Sequence, residues 1–194
     1  DDSGLTPYVD VVAKGPLVKE PPQGGRVIKE AADPVLETVE WTLSNGIKVI
    51  LKPTPFDDNN LSFVAWRVGG HSLVSDADFL SASSAAGLSA LSGAGPFDRI
   101  TLPKRMVGKR ASASLGISTL RFNLSGSSVV SDIDTMFELM WLRATEPRID
   151  ADVFAQFKKR AVERLRNRHA DPSTAFGDTY SKILWQDHYR KRPL

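Results

Sequence analysis

Val39-Glu40-Trp41-Thr42-Leu43, Ser44-Asn45-Gly46, Ile47-Lys48-Val49-Ile50-Leu51 is the stretch from which the fold can be read. Its first five residues alternate apolar and polar side chains, the period of a half-buried strand, and its last five are rich in strand formers. Asn45-Gly46 between two such runs is a strong hairpin signal, because both residue types tolerate the positive φ of a type I′ turn. Pro53 and Pro55 cannot donate to a ladder and end the second strand. Residues 61–68 (LSFVAWRV) read as a third strand, closed by Gly69-Gly70.

Working outward, residues 1–37 carry Pro7, Pro16, Pro21, Pro22 and Pro34, with Gly24-Gly25 and mixed charges between them. That composition favours an extended surface segment, so 1–37 reads as a linker and 38–194 as the folded domain. On the other side, 78–92 is a run of small, nearly uncharged residues with Asp78 as a candidate N-cap and Gly93 as a stop, the pattern of a buried helix. A short helix follows from Thr101, with Pro103 in its first turn. Residues 111–117 and 119–125 alternate as two further strands. Ser131-Asp132-Ile133-Asp134 resembles a capping box, and Ile133, Met136, Phe137, Met140 and Ala144 follow at helical spacing until Pro147. Residues 152–168 form a second such helix with a basic face, and Asp171-Pro172 opens a last one bearing Phe176, Tyr180 and Trp185. Strands, helices, strands and helices in that order give an α+β class: an antiparallel or mixed sheet of about five strands with helices mainly on one face.

Composition narrows the function classes. The chain has 194 residues, enough to bury a core without a disulfide or metal, and no cysteine, which excludes thiolate zinc sites and thiol nucleophiles. A net charge of +2 from 25 basic and 23 acidic side chains is too small to argue for nucleic acid. No stretch approaches the ~20 consecutive apolar residues of a membrane span. The acidic, polar start is unlike a signal peptide.

Chemistry needs polar residues at defined spacing, and few meet the test. None of His71, His169 and His188 has a second His or a Glu three or four residues away, the spacing that puts two metal ligands on one helix face. No Gly-x-Ser-x-Gly elbow opens a helix, and Gly93-Ala94-Gly95 lacks the rest of a dinucleotide fingerprint. Ser72 beside His71 is the sole Ser-His adjacency, but neighbours on an extended strand point to opposite faces. Asp76, Asp78 and Asp98 read as cap and turn residues. Lys158, Lys159, Arg160, Arg164, Arg166 and Arg168 make the helix 152–168 basic, with Glu163 the acid within that run.

The run from Leu43 to Pro53, Leu-Ser-Asn-Gly-Ile-Lys-Val-Ile-Leu-Lys-Pro, resembles the opening hairpin of the pitrilysin/insulinase-type zinc metallopeptidases, and the order of elements over about 38–192 continues the match. Members of that family carry an inverted His-x-x-Glu-His zinc motif on the helix after the third strand. Aligning Gly93 with the glycine that ends the pattern puts Ser84 and Leu88 at the histidine positions and Gly87 at the glutamate position. From 77 to 97 there is no His, Cys or Glu, so no register restores the ligands. Glu163, on the helix where the family places its third ligand, cannot hold a catalytic zinc by itself.

The resemblance therefore implies an inactive peptidase domain from the non-catalytic C-terminal half of a zinc metalloendopeptidase. No catalytic or metal-binding residue is expected in it, and zinc is expected only in the catalytic half. The expected partners are that half, in the same polypeptide or on a partner chain, and a peptide substrate, with no nucleic acid and no membrane span. The exposed side of the sheet would face the chamber, with Arg67 and His71 at one strand end as lining. An exported or periplasmic bacterial location is what the resemblance implies. The competing reading is a stand-alone binding module that uses the helix 152–168 to hold an acidic partner or nucleic acid.

Overall fold

A computed structural model describes residues 15–192. The opening hairpin forms from β2 (Thr38–Leu43) and β3 (Lys48–Leu51), paired antiparallel with Trp41 opposite Val49. Gly46 has φ 84° while Asn45 stays at negative φ, and the Gly46 N–H donates to the Leu43 carbonyl at 2.8 Å. The connection is thus a type I turn at Ser44-Asn45 followed by a left-handed glycine, rather than the expected type I′ turn. Asn45 still contributes, accepting a bond from the Ile47 N–H through Oδ1 at 3.1 Å.

The linker reading of residues 1–37 ends too late. Residues 27–33 form β1 (Val27–Asp33), which pairs antiparallel with β2 and is bonded to it through Trp41 Nε1 donating to Glu30 Oε2 at 2.8 Å. Further upstream, Leu17 is buried in the main core with Ala94, Leu102, Leu139 and Leu142. Its N–H donates to Glu138 Oε2 at 2.7 Å, and Arg105 Nη2 donates to the carbonyls of Gly15 and Pro16. The part of the linker at residues 1–14 lies outside the described residues.

The remaining strands are β4 (Asn60–Val68), the short pair β5 (Gly93–Ala94) and β6 (Phe97–Asp98), β7 (Ala111–Ile117) and β8 (Arg121–Val129). Instead of one sheet of five strands, β1-β2-β3 and β4-β8-β7 form two separate three-stranded antiparallel sheets, and β5 and β6 pair alone. The α+β class stands. The helices are α1 (Phe79–Ser92), α2 (Thr101–Arg105), α3 (Ile133–Thr145), α4 (Ala151–Arg166) and α5 (Pro172–Leu184).

Helices α3 and α1 lie on one face of β4-β8-β7. Met136, Leu139 and Met140 recur at the three- and four-residue spacing of one helix face and are buried. Phe63 of β4 meets Phe137 of α3 edge-on at 5.4 Å between ring centroids. The approach is closest at Gly126 in β8: a Cβ there would lie 2.3 Å from Met140 Cε, 3.1 Å from Met136 Cγ and 2.7 Å from the Ser112 carbonyl oxygen.

Two of the expected caps are used differently. Asp78 does not cap α1 but accepts from Ser75 Oγ at 2.7 Å. The box expected over Ser131 to Asp134 gives way to a start at Ile133 behind Asp132, which makes no cap bond but accepts from Lys109 Nζ at 3.0 Å and from the Arg110 N–H at 2.8 Å, chiefly the latter holding its carboxyl below the usual range. Asp171 does cap α5, accepting from the Ser173 and Thr174 N–H groups. Near the C-terminal end, Arg190 reaches back to the segment before α1. Its Nε donates to Asp76 Oδ1 at 2.7 Å, Nη1 to the His71 carbonyl at 3.0 Å and Nη2 to the Val74 carbonyl at 2.6 Å, while its guanidinium covers the Phe79 ring.

Two predictions follow from this packing. Met136 is wholly buried, so Met136→Ala lowers unfolding free energy by about 2–5 kcal/mol, and Gly126→Ala lowers it by about 1–3 kcal/mol through overpacking; urea midpoints read both. The second concerns Asp178, whose carboxyl is held below its ordinary value of 3.8 first by the Arg168 hydrogen bond, against burial, with help from His169. Such a group stabilises fully above its unfolded pKa and loses that contribution as pH falls through the folded value. Asp178→Asn therefore costs stability at pH 7, and the deficit shrinks below about pH 4, measured by urea unfolding at both ends of that range.

Candidate functional site

The positions that the resemblance assigns to the zinc motif all lie on α1. Leu88 is buried to 5% exposure, Ser84 is half-buried and Gly87 is exposed. One motif position thus belongs to the core and none offers a ligand atom suited to zinc. Glu163 sits on α4, which packs against α1, and its side chain is exposed. Among the described residues, no three of His, Cys, Asp and Glu come together to hold a metal ion.

The three histidines stand apart in role. His71 lies edge-on to Phe79 at 5.0 Å, and its Nδ1 is buried without a hydrogen-bond partner. His169 Nε2 is 3.1 Å from Asp178 Oδ2, and His188 Nδ1 accepts from the Arg190 N–H at 3.3 Å. Ser72 Oγ donates to the Gly69 carbonyl at 2.9 Å, so the Ser-His adjacency forms no nucleophile-base pair.

The largest feature left over is the other face of β4-β8-β7. The β4 register fixes what it displays: Leu61, Phe63 and Ala65 turn toward the helices, and Ser62, Val64, Trp66 and Val68 turn away. Val64, Trp66 and Val68 are 72%, 56% and 79% exposed. Opposite them in β8 stand Ser127, Ser125, Asn123 and Arg121, and beyond these in β7 stand Ser112, Ser114 and Gly116. Ser112 and Ser127 are 3.0 Å apart at Oγ and Ser114 and Ser125 are 2.8 Å apart, two hydroxyl rungs across the sheet. The Arg121 guanidinium stacks over Trp66 at 4.5 Å from the ring centroid. At the opposite end a cleft of about 520 Å³ is lined by Asn60, Ser62, Lys109, Arg110, Ser112 and Ser127, among others.

Arg67 and His71 do not share this face. Arg67 falls one step out of register with it, on the helix-side set, with its guanidinium 6.0 Å from the Phe122 centroid at the exposed strand end. His71 lies among Phe79 and the Arg190 contacts. The residues that hold those places on the open face are Trp66 and Arg121. On α4 the cations Lys158, Lys159, Arg160, Arg164 and Arg166 are exposed.

No family model matches the chain. Over its whole length it is 23% identical to a zinc protease PQQL-like protein of Arabidopsis thaliana, of which it spans 18%. Its fold is that of part of the periplasmic protease PqqL from Escherichia coli, with a TM-score of 0.78 at 19% identity, covering 93% of this chain and 20% of that one. A second similar structure is the ferredoxin protease FusC in complex with Arabidopsis ferredoxin, at a TM-score of 0.72 and 19% identity over the same shares. These are pitrilysin/insulinase-type zinc peptidases, so the likeness carried by the hairpin extends along the chain. The chain spans about a fifth of the length of the relatives it matches. Among the described residues, no helix is long and apolar enough to cross a membrane.

The donor set on α1 generates a direct prediction. After dialysis against trace zinc and a weak chelator wash, the purified chain retains well under one zinc per molecule by elemental analysis; one retained zinc per chain would place a site among the histidines and carboxylates.

Proposed function

We propose that this chain is a non-catalytic domain of a zinc metalloendopeptidase, which packs against a catalytic half and presents the open face of β4-β8-β7 to peptide substrate. The observation that carries this reading is α1. It occupies the place of the motif helix in the order of elements, yet Ser84, Gly87 and Leu88 fill the motif positions and Leu88 is a core residue. A zinc-bound water needs at least three protein ligands and a general base, and α1 offers neither the paired imidazoles nor the base. The fold supports this reading, because a sheet with helices on one face leaves its other face bare for a chamber.

In this reading the zinc belongs to the catalytic half, whose His-x-x-Glu-His helix supplies the activated water. This domain contributes enclosure: it keeps the peptide oriented, limits access to the reaction space, and holds extended substrate on hydroxyls and an aromatic edge. The basic face of α4 is the surface of the competing reading, a stand-alone module for an acidic partner, and salt-dependent binding on α4 would favour it.

The test is complementation. Alone, the chain with added zinc is expected to leave a quenched fluorogenic peptide uncut. Added to a His-x-x-Glu-His-bearing half that lacks this region, it is expected to raise kcat/KM by about tenfold or more, the scale of lost substrate positioning. Turnover by the chain alone, or no effect of its addition, would overturn the reading.

A further inference from the structure

We infer that the pocket filled by Arg190 is a recognition site for an arginine that follows an aromatic residue, and that residues 188–192 are a latch holding it in cis, displaceable by the arginine of another polypeptide. This does not rest on the reading of the open face of β4-β8-β7.

The pocket meets a guanidinium at each nitrogen and on its face. Nε donates to the Asp76 carboxylate at 2.7 Å, Nη1 to the His71 carbonyl at 3.0 Å and Nη2 to the Val74 carbonyl at 2.6 Å. The Phe79 ring lies against the guanidinium, 5.3 Å from Cζ to its centroid, and Tyr189 sets its own ring edge-on to Phe79 at 6.1 Å. A guanidinium presents its donors as a rigid fork and an ammonium does not, so three fixed acceptors beside a ring discriminate arginine from lysine.

The pocket is held by bonds that do not involve its occupant. The His71 and Ser72 N–H groups donate to the Ser118 and Thr119 carbonyls, at 3.0 and 2.9 Å, in the turn between β7 and β8. Gly70 packs so closely on that turn that a Cβ there would lie 2.1 Å from the Ser118 carbonyl oxygen. Ser75 Oγ donates to Asp78 Oδ2 at 2.7 Å and braces the bend before α1. Acceptors fixed in this way need little ordering when one ligand replaces another.

The occupant is anchored more narrowly. Gln186 and Asp187, which lead out of α5, take left-handed φ values of 50° and 55°, a conformation that costs free energy in residues other than glycine. Lys191 lies over the Trp185 ring and Arg192 pairs with Asp187, both within the same end of the chain. The hold on the segment before α1 thus falls to Tyr189 and Arg190. Asp76 is 69% exposed at its side chain, and an ion pair that solvent reaches contributes little. A strained segment with a two-residue anchor over a preformed pocket is open to exchange, and the pair Tyr189-Arg190 gives the chemistry of what replaces it.

The test uses a fluorescein-labelled peptide with the sequence of residues 187–192, and a second with lysine at the place of Arg190. Both are titrated by anisotropy into the chain and into its Arg190→Gln variant, whose fold is checked by circular dichroism. The variant is expected to bind the arginine peptide about tenfold tighter, or more, than the unchanged chain does, because an intramolecular occupant competes at high effective concentration. It is expected to bind the lysine peptide severalfold more weakly, and adding Asp76→Asn is expected to weaken the arginine peptide likewise. Equal binding of the two peptides would reduce the effect to unspecific charge attraction and overturn the inference. No binding to the variant, or equal affinity of variant and unchanged chain, would overturn it as well. A second readout needs no variant: a large excess of unlabelled arginine peptide is expected to speed amide exchange at 190–192 in the unchanged chain, and exchange left unaltered there would overturn the latch.

Discussion

The layer between α3 and β8 sets the geometry of the rest of the molecule. Because position 126 has no side chain, Met136 and Met140 come down onto the backbone of the central strand, and α3 lies lower over the sheet than any larger residue would allow. That closeness lets Leu139 and Leu142 reach sideways into the cluster with Ala94, Leu102 and Leu17, so the same helix closes two pieces of core. It also commits the sheet to a sided design. With apolar contacts spent on the α3 side, the opposite surface carries no helix among the described residues, and hydroxyl rungs take the place of packing there.

Much of this was legible from residue order alone. The hairpin at Asn45-Gly46, the strand ending at Gly69-Gly70 and the helices behind Ile133 and Pro172 declare themselves, because turn chemistry and helical spacing act over a few residues. What escaped depended on partners distant in sequence. Val27-Ile28-Lys29-Glu30-Ala31 has no two-residue alternation, and it becomes a strand because β2 offers it an edge. Leu17 looks like one apolar residue among prolines until Glu138, 121 positions away, accepts its N–H. The turn type was missed because Asn45 keeps negative φ and leaves the left-handed position to Gly46 alone.

The candidate site shows the same division. The loss of motif residues on α1 is visible in the letters, since no alignment conjures a histidine from Ser84 or Leu88. The face of the sheet is harder, because both alternating sets of 61–68 are largely apolar: Leu, Phe and Ala on one side, Val, Trp and Val on the other. Only the position of α3 decides which set is covered. Arg67 and Trp66 trade places on that decision, and Arg121 enters through cross-strand register with Val68.

The contacts of Arg190 have a temporal side. They close on Asp76, His71 and Val74, groups 114 to 119 positions earlier in the chain, and Tyr189 sets its ring edge-on to Phe79 in the same place. A chain emerging from the ribosome makes its first hairpin within moments, yet the approach of Arg190 to α1 waits until α3, α4 and α5 have been synthesised. High contact order of this kind slows the final docking and leaves Phe79 uncovered in nascent intermediates. A helix of serines, alanines and leucines thus keeps the one bulky aromatic at its entrance without its Arg190 and Tyr189 cover until that late segment arrives.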